Sequence, residues 1–246
     1  MKILKNKSLC ILMVLTVAIF SKTDAQEPNM EDSLNPKQQN IIAISAQTAK
    51  GDLTSLRGNL NAGLDAGLTV NEIKEAILHT YAYCGFPRSI RGLQTFMTVL
   101  DERKAKGIND VLGAEASPIT DKGSKYDRGK AILENLTGVK ETGPKKGYAA
   151  FAPAMEVFLK EHLFADIFER DVLTFKDREL VTIAVISSIG EAEPMLRSHL
   201  AICLNVGLTP NQLQQFVEVI RPIIGKKKGK SAQKVLNEVL ADKNKE

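Results

Sequence analysis

Tryptophan is missing from this 246-residue chain, and aromatic residues make up only 5% of it, so a stacking platform for single-stranded nucleic acid is excluded. Cysteine is nearly as scarce. Beyond the first 25 residues only Cys84 and Cys203 are found, too few for a disulfide framework or a structural zinc site. They either close one disulfide or sit as small buried hydrophobes. The histidines are His79, His162 and His199, and neither His79 nor His162 has a second ligand at metal-binding spacing, so no metal and no cofactor is expected. No convincing alternating strand pattern occurs either, which points to an all-α fold.

Charge of one sign is also thin. The formal net charge is +4, but Lys2, Lys5, Lys7, Lys22 and Asp24 lie in a segment that reads as an export signal, and without it the charge falls to +1. That segment, residues 1–25, has a lysine-rich start, an apolar run from Leu9 to Phe20, and Thr23-Asp24-Ala25 where a signal peptidase reads small residues. It is too short for a stable membrane span, and Cys10 sits inside the apolar run with no lipobox before it. The expectation is a soluble exported protein, periplasmic or secreted, with neither nucleic acid nor membrane as a partner.

The chain does contain an internal repeat at a constant offset of 140 residues. Leu56-Arg57 matches Leu196-Arg197, Leu60 matches Leu200, Gly67-Leu68-Thr69 matches Gly207-Leu208-Thr209, Gly85 matches Gly225, and Val99-Leu100 matches Val239-Leu240. Residues 34–100 and 174–240 therefore form two copies, separated by a connecting segment over 101–173. Each copy reads as three helices. In the second, Thr174 and Asp177 form a capping signature before the first helix, Pro194 opens the next, Gly207 ends it, and Thr209 opens the third. The connecting segment predicts helices over 126–136 and 153–170, and Lys226 to Lys228 reads as a solvated loop.

In the second copy Glu179 and His199 fall on the apolar faces of neighbouring helices. A hairpin would bring them together in a dry interface, where the carboxylate fixes one tautomer of the imidazole and leaves its other nitrogen for proton transfer. The first copy serves as a control: the matching positions are Gln39 and Asn59, neutral amides of similar size. The same pair also suits a buried contact that only fixes helix packing.

The stretch from Phe175 to Ala184, with His199 and Asn205-Val206-Gly207-Leu208-Thr209, resembles the carboxymuconolactone decarboxylase and alkylhydroperoxidase D superfamily. Gly67-Leu68-Thr69, Glu72-Ile73 and Tyr83-Cys84-Gly85-Phe86-Pro87 carry the resemblance in the first copy, and Tyr126-Asp127-Arg128-Gly129 and Phe168-Glu169-Arg170 carry it between the copies. The resemblance implies helical repeats assembled as rings. A chain holding two repeats would form a homo-oligomer, a trimer with six repeats, and sites at repeat interfaces would make Tyr83 and Arg88 further site candidates.

Hydroperoxidase members resemble one another in a Cys-x-x-Cys pair just before the histidine, because a peroxidatic thiolate needs a resolving thiol. Here those positions are Ala192 and Met195. A peroxidase would have to use Cys203 or Cys84 alone. Decarboxylase members lack the pair and keep the histidine, and their acid substrate implies a cation, for which Arg178, Arg197 and Arg88 are candidates. The resulting expectation is proton-transfer chemistry on a small organic acid or lactone by His199 and Glu179. A cysteine peroxidase and a non-catalytic ligand-binding relative are the alternatives.

Overall fold

The computed structural model describes residues 32–243 and 245, so the expected export signal lies outside the described residues. Among these residues there are helices and no strands. Helices α1 (Pro36–Lys50), α2 (Leu53–Asp65) and α3 (Val70–Ala105) build the first repeat. The connecting segment holds α4 (Lys125–Thr137), α5 (Tyr148–Phe151) and α6 (Pro153–Phe158), which runs on into a π-helical stretch, Leu159–Phe168. The second repeat holds α7 (Phe175–Ile189), α8 (Glu193–Asn205), α9 (Pro210–Ile224) and α10 (Lys226–Lys243).

The helix starts follow from local chemistry. Thr69 and Glu72 form a capping box at α3, and Thr209 and Gln212 form the same box at α9. Asn35 and Gln38 do so at α1, with Pro36 in the first turn, and the Thr174 hydroxyl accepts from the Asp177 N–H at α7.

Each repeat has one more helical piece than the sequence predicts. Gly85 (φ 80°, ψ 163°) breaks α3, and Gly225 (φ 84°, ψ 166°) separates α9 from α10. A side chain is strained in that region, so glycine lets the helix turn a corner and resume. Lys226 to Lys228 consequently lie in the first turn of α10 rather than in a loop, and the Lys228 ammonium donates to the Ser188 carbonyl near the end of α7. The predicted helix over 153–170 is likewise divided into α6 and the π-helical stretch.

Helix α7 is the centre of the molecule, packed against α1, α3 and α8, and every residue from Arg178 to Ser188 is buried. Three apolar clusters surround it. One joins α7 to α8, α9 and α10, a second joins α1, α2 and α3, and a third lies under α4 and the π-helical stretch. The Tyr83 ring packs against all three.

Candidate functional site

A helix buried on all sides has no solvent for its polar side chains, so neighbouring helices must supply their partners. Arg178, Glu179 and Thr182 are such residues, all fully buried. Arg178 lies between repeats: Nη2 donates to Glu75 Oε1 at 2.8 Å and to the Arg170 carbonyl at 2.5 Å, and Nη1 lies 3.3 Å from His79 Nδ1. Glu75 also receives a fork from Arg170, with Nε at 2.8 Å. Burial pulls the Arg178 guanidinium below its usual range, opposed by the Glu75 carboxylate.

Glu179 turns the other way, toward α8. Its Oε2 lies 2.8 Å from His199 Nδ1, and its Oε1 has no hydrogen-bond partner among the described residues. His199 is 14% exposed, so the ring is largely but not wholly enclosed, and its Nδ1 is held by the carboxylate. A neutral imidazole in this contact carries its proton on Nδ1 and leaves Nε2 free to take one. Tyr83 flanks the pair, its ring edge-on to the imidazole with centroids 6.1 Å apart. Burial pushes the Tyr83 phenol up, and the Glu179 charge pushes it further, so it stays protonated, while its Oη accepts from the Thr182 hydroxyl at 3.2 Å.

The arginine candidates take other positions. Arg178 is enclosed beneath α3, and Arg197 points to α10, where it pairs with Glu238 at 2.9 Å and with Asp242. Arg88 lines a cleft of about 400 Å³ with Gly51, Leu53, Pro87 and Arg91, all from the first repeat. A cleft of similar size, about 410 Å³, opens at the turn of the α7–α8 hairpin, between Ser187, Gly190, Leu196 and Lys228, and does not have His199 in its wall.

Neither thiol is prepared for peroxide chemistry. Cys203, fully buried one turn beyond His199, is pushed well up by burial and by the Glu179 charge. Cys84 donates to the Thr80 carbonyl at 3.1 Å and is also raised by burial. Both are free, with no disulfide between them. A reactive thiolate needs the opposite environment.

Sequence reasoning leaves His79 a surface or core residue and misses its partners. It is fully buried, with Nε2 2.9 Å from Thr182 Oγ1, and burial together with the Arg178 charge keeps it neutral. The available signal was spacing: Glu75, His79 and Tyr83 recur every fourth residue and so share one face of α3. His162, by contrast, is an exposed partner of Asp166 at 3.2 Å.

Comparison with known proteins places these features in context. Residues 17–96 and 153–238 match the carboxymuconolactone decarboxylase family. The chain is also similar to a 4-carboxymuconolactone decarboxylase of Acinetobacter baylyi, 26% identical over 119 residues that cover 48% of this chain and 88% of that protein.

Proposed function

Because the chain belongs to the carboxymuconolactone decarboxylase family, we propose that it carries out histidine-based proton transfer on a small organic acid or lactone. His199 is the general acid and base, and Glu179 is its orienting partner. The observation that carries this reading is the 2.8 Å contact between a partly exposed imidazole and a fully buried carboxylate, in the second of the two regions that match the family. In a decarboxylation the bond from carbon to the carboxylate breaks, carbon dioxide leaves, and the electron pair remains on the organic fragment. His199, protonated on Nε2, delivers a proton to that fragment and is recharged from solvent. Glu179 stabilises the imidazolium while it exists.

The substrate's acid group calls for a cation, and Arg178 and Arg197 are engaged elsewhere within one chain. We therefore include assembly in the proposal: a homo-oligomer, a trimer with six repeats, in which another copy closes the face at His199. Exposed Phe86, Ile90 and Met97 on α3 and Met195 on α8 supply apolar surface for it. Export by way of residues 1–25 belongs to the same reading.

The test is turnover of 4-carboxymuconolactone and related lactone acids by wild type and His199→Gln. Loss of about 10²-fold or more, with the helical spectrum and oligomeric mass preserved, is expected for a general acid and base. Equal activity in the two proteins removes His199 from the chemistry, and no turnover in wild type favours the ligand-binding alternative.

A further inference from the structure

We propose that the first repeat completes the proton-handling centre of the second: Tyr83 offers its hydroxyl proton to the space beside Glu179 and His199, and Arg178, His79 and Thr182 fix the direction of that offer. The inference rests on the reading of His199 as the proton-transfer residue and adds a second donor with its own positioning line.

The direction follows from what each group can do. A guanidinium only donates, so His79 Nδ1, 3.3 Å from Arg178 Nη1, must accept. A neutral His79 then carries its proton on Nε2 and donates it to Thr182 Oγ1 at 2.9 Å. Thr182 has one proton of its own. Two acceptors are within its reach, the Arg178 carbonyl at 3.0 Å and Tyr83 Oη at 3.2 Å, and in the contact with Tyr83 the geometry makes Thr182 the donor. Tyr83 Oη is the acceptor toward Thr182, so the phenol's own proton is not used in that contact and is left for another direction.

On the His199 side, where the two rings stand 6.1 Å apart and the imidazole holds Glu179, there is an acceptor in need of a proton. Glu179 Oε1 is fully buried and lacks a partner among the described residues, and the Glu179 charge is felt at the Tyr83 phenol. The two groups are not in direct hydrogen-bond contact, so the unpaired acceptor and the unused donor complement each other through one bridging water. Glu75 and Arg170 anchor the far end of the line, and Cys203 is the remaining titratable group beside Glu179.

The repeat supplies independent support. At the offset of 140 residues, His79 and Tyr83 correspond to Val219 and Ile223, and Thr182 corresponds to Ile42. The line is absent from the copy that also lacks the Glu-His pair. Packing alone would not require both to disappear together, because α1 meets α9 much as α7 meets α3.

His79 and Thr182 are thus positioning residues, tested by ring-nitrogen NMR of the full-length protein, whose three histidines can be assigned by single replacement. Neutral His79 is expected with its proton on Nε2, and neutral His199 with its proton on Nδ1. Tyr83→Phe and Thr182→Val should both move the His199 nitrogen signals, with Thr182→Ser restoring them. Where turnover is measurable, kcat should fall about tenfold in Tyr83→Phe with KM little changed. His79 protonated on Nδ1, or His199 signals unmoved by either variant, overturns the proposal. The nitrogen signals need no substrate, so they stand apart from failure of the enzymatic reading, which His199→Gln decides.

Discussion

The two repeats share a backbone and differ in what their matching centres contain. On one side Arg178, Glu179 and Thr182 of α7 meet Glu75, His79 and Tyr83 of α3, with His199 closing the group. On the other, the matching positions on α1 are Gln38, Gln39 and Ile42, those on α9 are Gln215, Val219 and Ile223, and Asn59 stands in place of His199. Glu179 is fully buried, whereas Gln39 is exposed among the described residues and bonds the Leu34 carbonyl. The connecting segment accounts for part of this difference, because Phe164 and Phe168 cover the side on which Phe175, Ile202 and Tyr83 lie. The shared fold is therefore not matched by shared side chains: cover, buried charge and the imidazole all stand on one side.

The comparison can be broken most sharply at the carboxylate. Glu179→Gln keeps the shape but loses the charge that stabilises an imidazolium, and turnover is expected to fall about 10²- to 10³-fold, while Gln39→Glu leaves it unchanged. Steady-state assay of both variants checks the pair. Next is the anchor of the buried network. Glu75→Gln leaves the fully buried Arg178 without its carboxylate and should cost about 3–5 kcal/mol, read by denaturant unfolding. Gln215→Glu, at the matching place, should stay within about 1 kcal/mol.

Acid offers a test of the connecting segment alone. Burial pushes the Glu156 carboxyl up, but hydrogen bonds from Lys145, Lys160 and Tyr126 overcome it and hold the group at about 2. An ordinary glutamate titrates near about 4.3, so this stabilisation is fully present above that pH and disappears as pH falls through about 2. The loss should be of order 2 kcal/mol, seen as faster amide exchange in α4 and the π-helical stretch, and Glu156→Gln should remove its pH dependence. The smallest effect concerns the turn after the first helix of each repeat. Gly51 (φ 70°) corresponds to Glu191 (φ 56°), the one non-glycine residue with positive φ among the described residues. Glu191→Gly should gain about 0.5 kcal/mol and Gly51→Ala should lose about 1 kcal/mol, since an added Cβ would fall 1.5 Å from the Arg88 guanidinium. Thermal melts of the two variants should move in opposite directions.

Much of this was legible in the sequence because it is local or periodic. Thr69, Thr174 and Thr209 announce helix starts by their spacing to the next polar residue, and the offset of 140 residues exposes the duplication. The Glu179–His199 contact was readable because both residues lie on apolar faces of adjacent helices. The Arg178 contacts were not: Glu75 and His79 are 103 and 99 residues away, and no spacing rule links them. Arg178 consequently read as a candidate for substrate, when its partners are internal. The corner at Gly225 was hidden because a glycine followed by lysines looks the same whether it begins a loop or a new helix.

Tyr83 has a consequence beyond its hydroxyl. Its ring is the meeting point of all three apolar clusters, so separation of any one from the others would swing the phenol away from the imidazole. Partly melted forms of the molecule should then show weakened rather than altered turnover, and the first loss of activity on heating should coincide with the first loosening of the interior instead of waiting for its last.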